Sequence, residues 1–372
     1  MKNIPLLSII VLSAVLTISC TTDEKTLKSA YQQKFLIGAA INTDISSGKD
    51  TASVRILQQH FNSVVAENCM KSGEIHPKEG RYYFDKADTF VQFAQDNGFT
   101  LIGHCLVWHS QAPRWFFTDE NGNNVSRETL IERMREHITT VVTRYKGKIR
   151  GWDVVNEAVN DDGTLRNSKF LQIIGEDYLP LAYKFAHEAD PDMELYYNDY
   201  STAIPAKREG IVRLVKTVQD AGIKVTAIGM QSHVGIDYPD MAEYEKSIQA
   251  FIALGCRVNF TELDVNVLPQ KSQSADVSAN FDFDKVSKAM NPYSDALPDS
   301  VYRKFEQRYL DLFGLYLKYA DNIDRVTLWG IADGNSWLNN FPFPRRTNYP
   351  LLFDRNYRAK PVVEKLIKLS TE

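Results

Sequence analysis

Residues that commonly bind metals are scarce in this chain of 372 residues, which contains four cysteines and seven histidines. Cys69, Cys105 and Cys256 lie in or beside apolar runs, and an odd number of thiols cannot pair completely within one chain. We therefore interpret these three as small buried side chains and not as a disulfide framework. The histidines form no close cluster in the sequence, so we predict neither a metal nor another cofactor.

An excess of one charge is also missing, since 43 basic and 47 acidic residues give a net charge of −4. This balance gives no indication of a surface that binds nucleic acid. The first candidate strand after the N-terminal region leads through Gly38-Ala39-Ala40-Ile41, which is not the Gly-rich phosphate loop of a dinucleotide-binding sheet. The composition is 44% hydrophobic and 24% charged, which is sufficient for the large core of a soluble enzyme.

The N-terminus contains an apolar stretch, Pro5–Ile18, that follows the positive charge of Lys2 and is too short to span a bilayer comfortably. We interpret residues 1–19 as a signal peptide for export. The run Thr17-Ile18-Ser19-Cys20 resembles a bacterial lipoprotein signal, so we predict that Cys20 is the lipid-bearing first residue of the mature chain. This implies anchoring in a bacterial cell envelope, at the outer membrane or cell surface. Thr17 departs from the usual Leu, which leaves simple cleavage and secretion as the alternative.

From residue 35 onward, short apolar runs alternate with longer segments of helical period. The candidate strands are Leu36–Ala40, Ser63–Ala66, Thr100–His104, Gly151–Val155, Glu194–Asn198, Ala227–Gln231, Arg257–Thr261 and Arg325–Trp329. The helical patterns include Leu130–Tyr145, Tyr178–Ala189, Lys207–Ala221, Met241–Leu254 and Lys304–Tyr319. Eight apolar strands separated by helices predict a parallel sheet closed as a (β/α)8 TIM barrel over residues 35–372. The preceding residues, 20–34, are polar and aperiodic, which predicts a flexible tether.

Two glutamates lie at the ends of candidate strands, Glu157 after the fourth and Glu262 after the seventh. In a TIM barrel the catalytic groups collect at the C-terminal ends of the strands, so these two carboxyl groups are expected to meet across one mouth. A pair of carboxyl groups is the minimum requirement for cleaving a glycosidic bond. We also expect His233 to contact Asp264 beside Glu262 and to keep that glutamate ionised. Asp153, two residues below Val155 on the strand, is expected to be buried and hydrogen-bonded.

Several longer motifs carry a family resemblance. They are Glu67-Asn68-Cys69-Met70-Lys71, Ile75-His76-Pro77, Gly103-His104, Leu106 to Gln111, Trp152 to Ala158, Tyr197 to Tyr200, Gln231-Ser232-His233, Thr261 to Asp264, Trp329-Gly330, Ser336-Trp337 and Tyr349 to Asp354. In this order, from about Phe35 to Ile367, the chain resembles glycoside hydrolase family 10, the endo-β-1,4-xylanases. The resemblance implies hydrolysis of xylan or xylo-oligosaccharides with retention of anomeric configuration, by a single catalytic domain that we expect to be monomeric.

The resemblance also implies roles for individual residues. Glu157 would be the general acid/base and Glu262 the nucleophile, with their carboxyl groups about 5 to 5.5 Å apart. The implied substrate-binding residues are Glu67, Asn68, Lys71, His104, Trp108, Asn156, Tyr200, Gln231, His233, Trp329 and Trp337. Asn156 would hold the 2-hydroxyl group of the sugar at the cleavage point, and Asp264 would support the site.

Two positions depart from the family pattern or extend it. Ser201 stands where the family commonly carries another Asn, on the leaving-group side of the cleft. The segment 268–300 is long and contains three prolines, which indicates an elaborated loop near the site. Two alternatives stay open from the sequence: a retaining endo-glucanase acting on another β-1,4-glycan, and a non-catalytic lipid-anchored protein that binds glycans.

Overall fold

The computed structural model describes residues 25–269, 290–342 and 344–371. Its strands, in chain order, are β1 Leu36–Ile41, β2 Ser63–Ala66, β3 Thr100–Trp108, β4 Ile149–Asn156, β5 Glu194–Asp199, β6 Ala227–Met230, β7 His233–Gly235, β8 Arg257–Asn266 and β9 Ile323–Leu328. Its α-helices are α1 Leu27–Tyr31, α2 Thr43–Ser46, α3 Thr51–His60, α4 Ser72–Ile75, α5 Asp85–Asp96, α6 Arg127–Arg144, α7 Lys169–Ile174, α8 Tyr178–Ala189, α9 Pro205–Asp220, α10 Met241–Ile252, α11 Asp299–Lys318 and α12 Pro361–Leu369. Each candidate strand and helix of the sequence overlaps one of these elements.

The strands form one parallel sheet that closes on itself. They pair in the order β6-β5-β4-β3-β2-β1-β9-β8, and pairing of β6 with β8 completes the ring. The short strand β7 continues beyond β6 and pairs with the end of β8, where His233 lies opposite Asp264. Eight strands in the ring, with helices between them, confirm the predicted (β/α)8 TIM barrel.

The strands separate an outer apolar layer, packed against the helices, from a smaller cluster inside the barrel. The inner cluster consists of Ala40, Val65, Ile102, Tyr196, Ala227 and Trp329. Because side chains alternate between the two faces of a strand, a residue two positions further along faces the same way. Glu67 follows Val65 and His104 follows Ile102 in this manner. The inner face of the barrel therefore carries polar side chains towards the C-terminal ends of the strands.

Local sequence also fixes where the helices begin after the strands. Helix α9 starts with Pro205, whose fixed φ and missing N–H suit the first helical position. Its first turn therefore carries Lys207, which is fully buried and reaches back to Asp199 at the end of β5. Helix α10 is capped by Asp240, whose carboxylate accepts from two backbone N–H groups of the first turn.

The predicted tether of residues 20–34 is wrong for its C-terminal part. Residues 27–31 form helix α1, which is capped by Thr26 and buries Leu27 and Tyr31. The Leu27 backbone N–H donates to His60 Nδ1 at 3.4 Å, at the end of α3, and the Tyr31 hydroxyl donates to the Leu366 carbonyl at 2.7 Å. Since α3 leads into the N-terminal end of β2, α1 lies on the floor of the barrel, opposite the strand ends that carry the polar residues.

Some predictions fall on residues outside the described ranges. These include the signal peptide, Cys20 and most of the loop 268–300, of which residues 270–289 are not described. Cys69, Cys105 and Cys256 are buried, as predicted. In the described part of the chain, no helix is both long enough and apolar enough to cross a membrane.

Candidate active site

A cavity of about 150 Å³ opens at the C-terminal ends of the barrel strands. It is lined by Glu67, Asn68, Lys71, His104, Trp108, Gln111, Asn156, Glu157, Gln231, His233, Glu262, Trp329 and Trp337. The structure therefore brings together both candidate catalytic glutamates and ten of the eleven predicted substrate-binding residues, the exception being Tyr200. Gln111 is an addition that lies in a predicted motif but had no assigned role.

Glu157 follows directly after β4 and is 6% exposed. Gln231 Nε2 donates to its Oε1 at 3.0 Å, and Trp108 Nε1 donates to its Oε2 at 2.8 Å. Burial raises the pKa of Glu157 to about 7, with further increases from the charges of Asp199 and Glu262, although the two hydrogen bonds oppose the shift. The carboxyl group is therefore available as an acid near neutral pH.

Glu262 lies within β8, lines the same cavity as Glu157 and is 5% exposed. Asn198 Nδ2 donates to its Oε1 at 2.9 Å, and His233 Nε2 lies 3.2 Å from its Oε2. Burial opposes ionisation, but the His233 hydrogen bond and the electrostatic interactions with His104 and His233 outweigh it, so the pKa of Glu262 is lowered below its usual value. This carboxylate is the ionised member of the pair.

His233 connects Glu262 to a second carboxylate. Its Nδ1 lies 3.0 Å from Asp264 Oδ2, which also accepts from Trp337 Nε1 at 2.8 Å. Burial opposes the charged imidazole, but Asp264 and Glu262 together overcome it and raise the pKa of His233 to about 10. The predicted contact between His233 and Asp264 is thus present, and it places one imidazolium between two carboxylates.

Asn198, which the sequence analysis did not assign to the site, holds the two sides of the network together. Its Nδ2 donates to Glu262 and also lies 2.8 Å from the side-chain amide of Asn156. Its Oδ1 accepts from Thr261 Oγ1 at 2.6 Å, which fixes the orientation of the amide. Gly229 makes room for it, because a Cβ at that position would lie 2.4 Å from Asn198 Oδ1.

One end of the cavity carries a charged group beside an indole. Lys71 is 6% exposed, and its Nζ donates to Asn68 Oδ1 at 2.8 Å and lies 4.9 Å from the centre of the Trp108 ring. Glu67 is close by, and burial raises its pKa while the Lys71 charge partly offsets that rise. Such polar groups, held beside an aromatic face, suit the hydroxyl groups and apolar face of a sugar ring.

His104 lines the same cavity as Lys71 and the two glutamates. Its Nδ1 lies 2.8 Å from Asp153 Oδ2, and its ring meets the edge of Trp329 with centroids 5.6 Å apart. Asp153 is 2% exposed, in agreement with the prediction that it is buried and hydrogen-bonded. This contact with the Asp153 carboxylate fixes the orientation of the His104 ring.

Tyr200, which the resemblance implies as a substrate-binding residue, does not line this cavity. It is 3% exposed, its hydroxyl accepts from Arg166, and Lys207 Nζ lies 3.5 Å from its ring centre. One cation thus holds the hydroxyl of Tyr200 and another covers its ring. The neighbouring Ser201 has a φ of 51° and lines a separate, smaller cavity.

Comparisons with known proteins agree with this geometry. The model of glycosyl hydrolase family 10 matches residues 26–369. The chain is 53% identical over 349 residues to endo-1,4-β-xylanase A of Xylanibacter ruminicola, covering 93% of this chain and 94% of that protein. It is 41% identical to endo-1,4-β-xylanase B of Paenibacillus barcinonensis, over 91% of this chain and 97% of the relative.

Solved structures give the same result. The structure of a family 10 endoxylanase from a sugarcane soil metagenome is 42% identical and superposes with a TM-score of 0.88, covering 92% of this chain and 99% of that one. A mutant structure in complex with xylotriose is 34% identical with a TM-score of 0.82, covering 92% and 99%. The barrel, the paired glutamates and these similarities lead to one conclusion: the chain belongs to glycoside hydrolase family 10.

Proposed function

We propose that this member of family 10 is an endo-1,4-β-xylanase that cleaves xylan with net retention, using Glu157 as acid/base and Glu262 as nucleophile. One observation carries the proposal: two buried carboxyl groups face one cavity, and their surroundings shift their pKa values in opposite directions. Two carboxyl groups whose pKa values differ in this way provide one proton donor and one ionised group at the same pH.

In the first step, the Glu262 carboxylate attacks the anomeric carbon while Glu157 donates its proton to the oxygen of the departing chain. The bond to the leaving oxygen breaks, and a covalent ester to Glu262 forms. Gln231 and Trp108 donate to the Glu157 oxygens and so fix the direction of the acid. Asn198 and His233 hold the two oxygens of Glu262 for in-line attack.

In the second step, Glu157 is ionised and accepts a proton from water, which attacks the anomeric carbon and releases Glu262. Two inversions give net retention, and this geometry requires about 5 to 5.5 Å between the carboxyl groups. The imidazolium of His233 stays within reach of Glu262 throughout, so it stabilises the carboxylate as a leaving group. The contact of Asn156 with a sugar 2-hydroxyl belongs to the same proposal.

The choice of xylan over β-1,4-glucans depends on Lys71 and Trp337. Lys71 is held by Asn68, and Trp337 by Asp264, so neither side chain is free to withdraw. In the family, such groups occupy the space that the hydroxymethyl group of a glucose unit would need. All relatives and structures named above are also described as xylanases or belong to a xylotriose complex.

Release of reducing ends from xylan, arabinoxylan, carboxymethylcellulose and mixed-linkage β-glucan tests this preference. We expect kcat/KM on xylan to exceed that on either glucan by roughly 100-fold, the discrimination that a clash with one extra group provides. Comparable rates on glucan would show a retaining endo-glucanase instead. Absence of turnover on all four polymers, with measurable binding, would favour the non-catalytic glycan-binding alternative.

We propose further that the chain is exported and anchored through a lipid on Cys20. The support is the sequence of the leader, which carries Lys2, the apolar stretch Pro5–Ile18 and Cys20. Mass analysis of the mature N-terminus, after expression in a bacterium, should give a peptide that begins with Cys20 and carries acyl groups. A Cys20→Ala variant is expected to lose the added mass, and an unmodified Cys20 in the wild type would rule out the anchor.

A further inference from the structure

The backbone of Glu157 has a φ of 57°, in the left-handed region that side chains other than glycine rarely adopt. Such a conformation persists only where surrounding contacts hold it. It turns the chain sharply at the end of β4 and thereby sets the direction of the carboxyl group. The hydrogen bonds around this turn therefore contribute to the direction of the proposed acid, together with those from Gln231 and Trp108.

Two of these contacts involve Glu157 itself. Its backbone N–H donates to the Asn198 carbonyl at 2.9 Å, as part of the strand ladder between β4 and β5. Its carbonyl accepts from Arg166 Nε at 2.9 Å. The second contact is a charge-assisted hydrogen bond from a side chain, so it fixes the peptide that follows Glu157 in one orientation.

The next two residues are held by side chains of β5. The Ala158 backbone N–H donates to the Tyr197 hydroxyl at 3.1 Å, and the Val159 N–H lies 3.4 Å from Asp199 Oδ2. Tyr197 donates to the same Asp199 oxygen at 2.5 Å, so the lone pairs of its hydroxyl face Ala158. Both β5 side chains are fully buried, so water cannot replace these contacts.

Lys207 completes the group from the first turn of α9. Its Nζ lies 2.9 Å from Asp199 Oδ1, and both side chains are fully buried. Separation of these two groups would leave an uncompensated buried charge. The ion pair therefore holds the Asp199 carboxylate in place. The hydroxyl of Tyr197 is thus anchored at one end by a fixed ion pair and presents its other side to the Ala158 peptide.

We propose that Tyr197 and Arg166 are positioning residues for catalysis: they hold the peptides on the C-terminal side of Glu157 so that its carboxyl group reaches the leaving oxygen. Neither residue lines the cavity, so each acts through Glu157 and not on the sugar. The inference rests on the proposed role of Glu157 as acid. It extends that role to side chains on β5 and in the loop after β4.

A Tyr197→Phe variant tests the proposal, because it removes one hydroxyl and little volume. We propose to measure kcat/KM on two aryl β-xylobiosides, one with a phenyl and one with a 2,4-dinitrophenyl leaving group. Protonation assists departure of phenolate far more than that of dinitrophenolate, so a misdirected acid is expected to lower the phenyl rate about tenfold and the dinitrophenyl rate less than about threefold. The difference between the two substrates is the signature of positioning.

Tyr183→Phe is the matched control. Tyr183 is also fully buried, and its hydroxyl donates to the Tyr196 carbonyl at 3.0 Å, so it bonds to the β5 backbone and not to the peptides that follow Glu157. We expect this variant to change both aryl rates equally, whatever its effect on Tm. An equal loss on both substrates in Tyr197→Phe, or no loss, would overturn the proposal.

Arg166→Lys provides a second measurement if Tyr197→Phe does not fold. Arg166 is only partly buried, and lysine retains the charge but lacks the Nε–H that reaches the Glu157 carbonyl. The same selective loss on the phenyl substrate is expected, and an equal loss on both would contradict the role. Failure of the wild type to hydrolyse either aryl xylobioside would refute the proposed function itself, which separates the two hypotheses.

Discussion

Replacement of Glu262 by alanine is expected to lower kcat on xylan by roughly 10⁴- to 10⁶-fold, because the covalent route loses the only group that attacks the anomeric carbon. The remaining acid can still protonate a leaving group, and the cavity gains space where the carboxylate was. Azide added with 2,4-dinitrophenyl β-xylobioside is therefore expected to react directly and to give the α-glycosyl azide, after a single inversion. Product configuration by NMR provides the measurement.

The configuration of that product separates the two glutamates. A β-glycosyl azide from Glu262→Ala would mean that the nucleophile is elsewhere and that the assignments must be exchanged. Turnover close to the wild-type value would mean that the chemistry does not use this residue at all. Glu243→Ala provides the control, since that glutamate forms a surface ion pair with Lys246 and Arg208 and is expected to retain full activity.

Replacement of Glu157 by alanine is expected to lower kcat/KM on xylan by about 10²- to 10⁴-fold, the usual contribution of a positioned acid. The loss on 2,4-dinitrophenyl β-xylobioside is expected to be much smaller, because this leaving group departs without a proton. Azide then intercepts the ester on Glu262, and two inversions give the β-glycosyl azide. The two variants are thus expected to yield opposite anomers from one substrate, and identical anomers would contradict the assignment.

The same residue sets the pH dependence. Glu157 is the acid only while protonated, and burial raises its pKa to about 7, so wild-type kcat/KM on xylan is expected to fall as the pH rises through about 7. The pKa of Glu262 is lowered below that of an ordinary glutamate. Protonation of this nucleophile is therefore expected to lower the rate only at a pH below the usual glutamate pKa. Glu157→Gln is expected to lose the alkaline limb, since no titrating acid remains there.

The sequence predicted the barrel because its apolar pattern persists through every strand. Helix α8 was predicted with both of its ends, Tyr178 and Ala189, since its periodicity is bounded by polar residues. Strands β3 and β8 extend further than predicted, to Trp108 and Asn266. Gly103 and His104 interrupt the apolar pattern of β3, and Glu262, Asp264 and Asn266 interrupt that of β8.

The sequence indicates which residues line the cavity where a strand end places them there. It does not indicate the position of a side chain that depends on packing against distant residues. Tyr200 follows β5 directly, beyond the point at which strand alternation determines the direction of a side chain. Only the positions of Arg166 and Lys207, 34 residues before it and seven after it, reveal that its ring is covered. Asn198 lies at a predicted strand end and in a motif, but its role could not be assigned, because that role depends on Thr261 from a different strand.

Helix α1 was not predicted for a different reason. Its five residues are too few to show a helical period, and only Leu27 and Tyr31 are buried. Burial of those two side chains depends on α12, more than 330 residues further along the chain, through the bond from Tyr31 to Leu366. Short-range pattern analysis has no access to such a contact.

The location of α1 has a steric consequence. It attaches the start of the described chain to the floor of the barrel, while the cavity opens at the opposite pole. The described chain therefore begins, at Lys25, on the side of the barrel opposite the cavity mouth. A long polysaccharide can therefore lie across the mouth and extend beyond it at both ends without meeting α1.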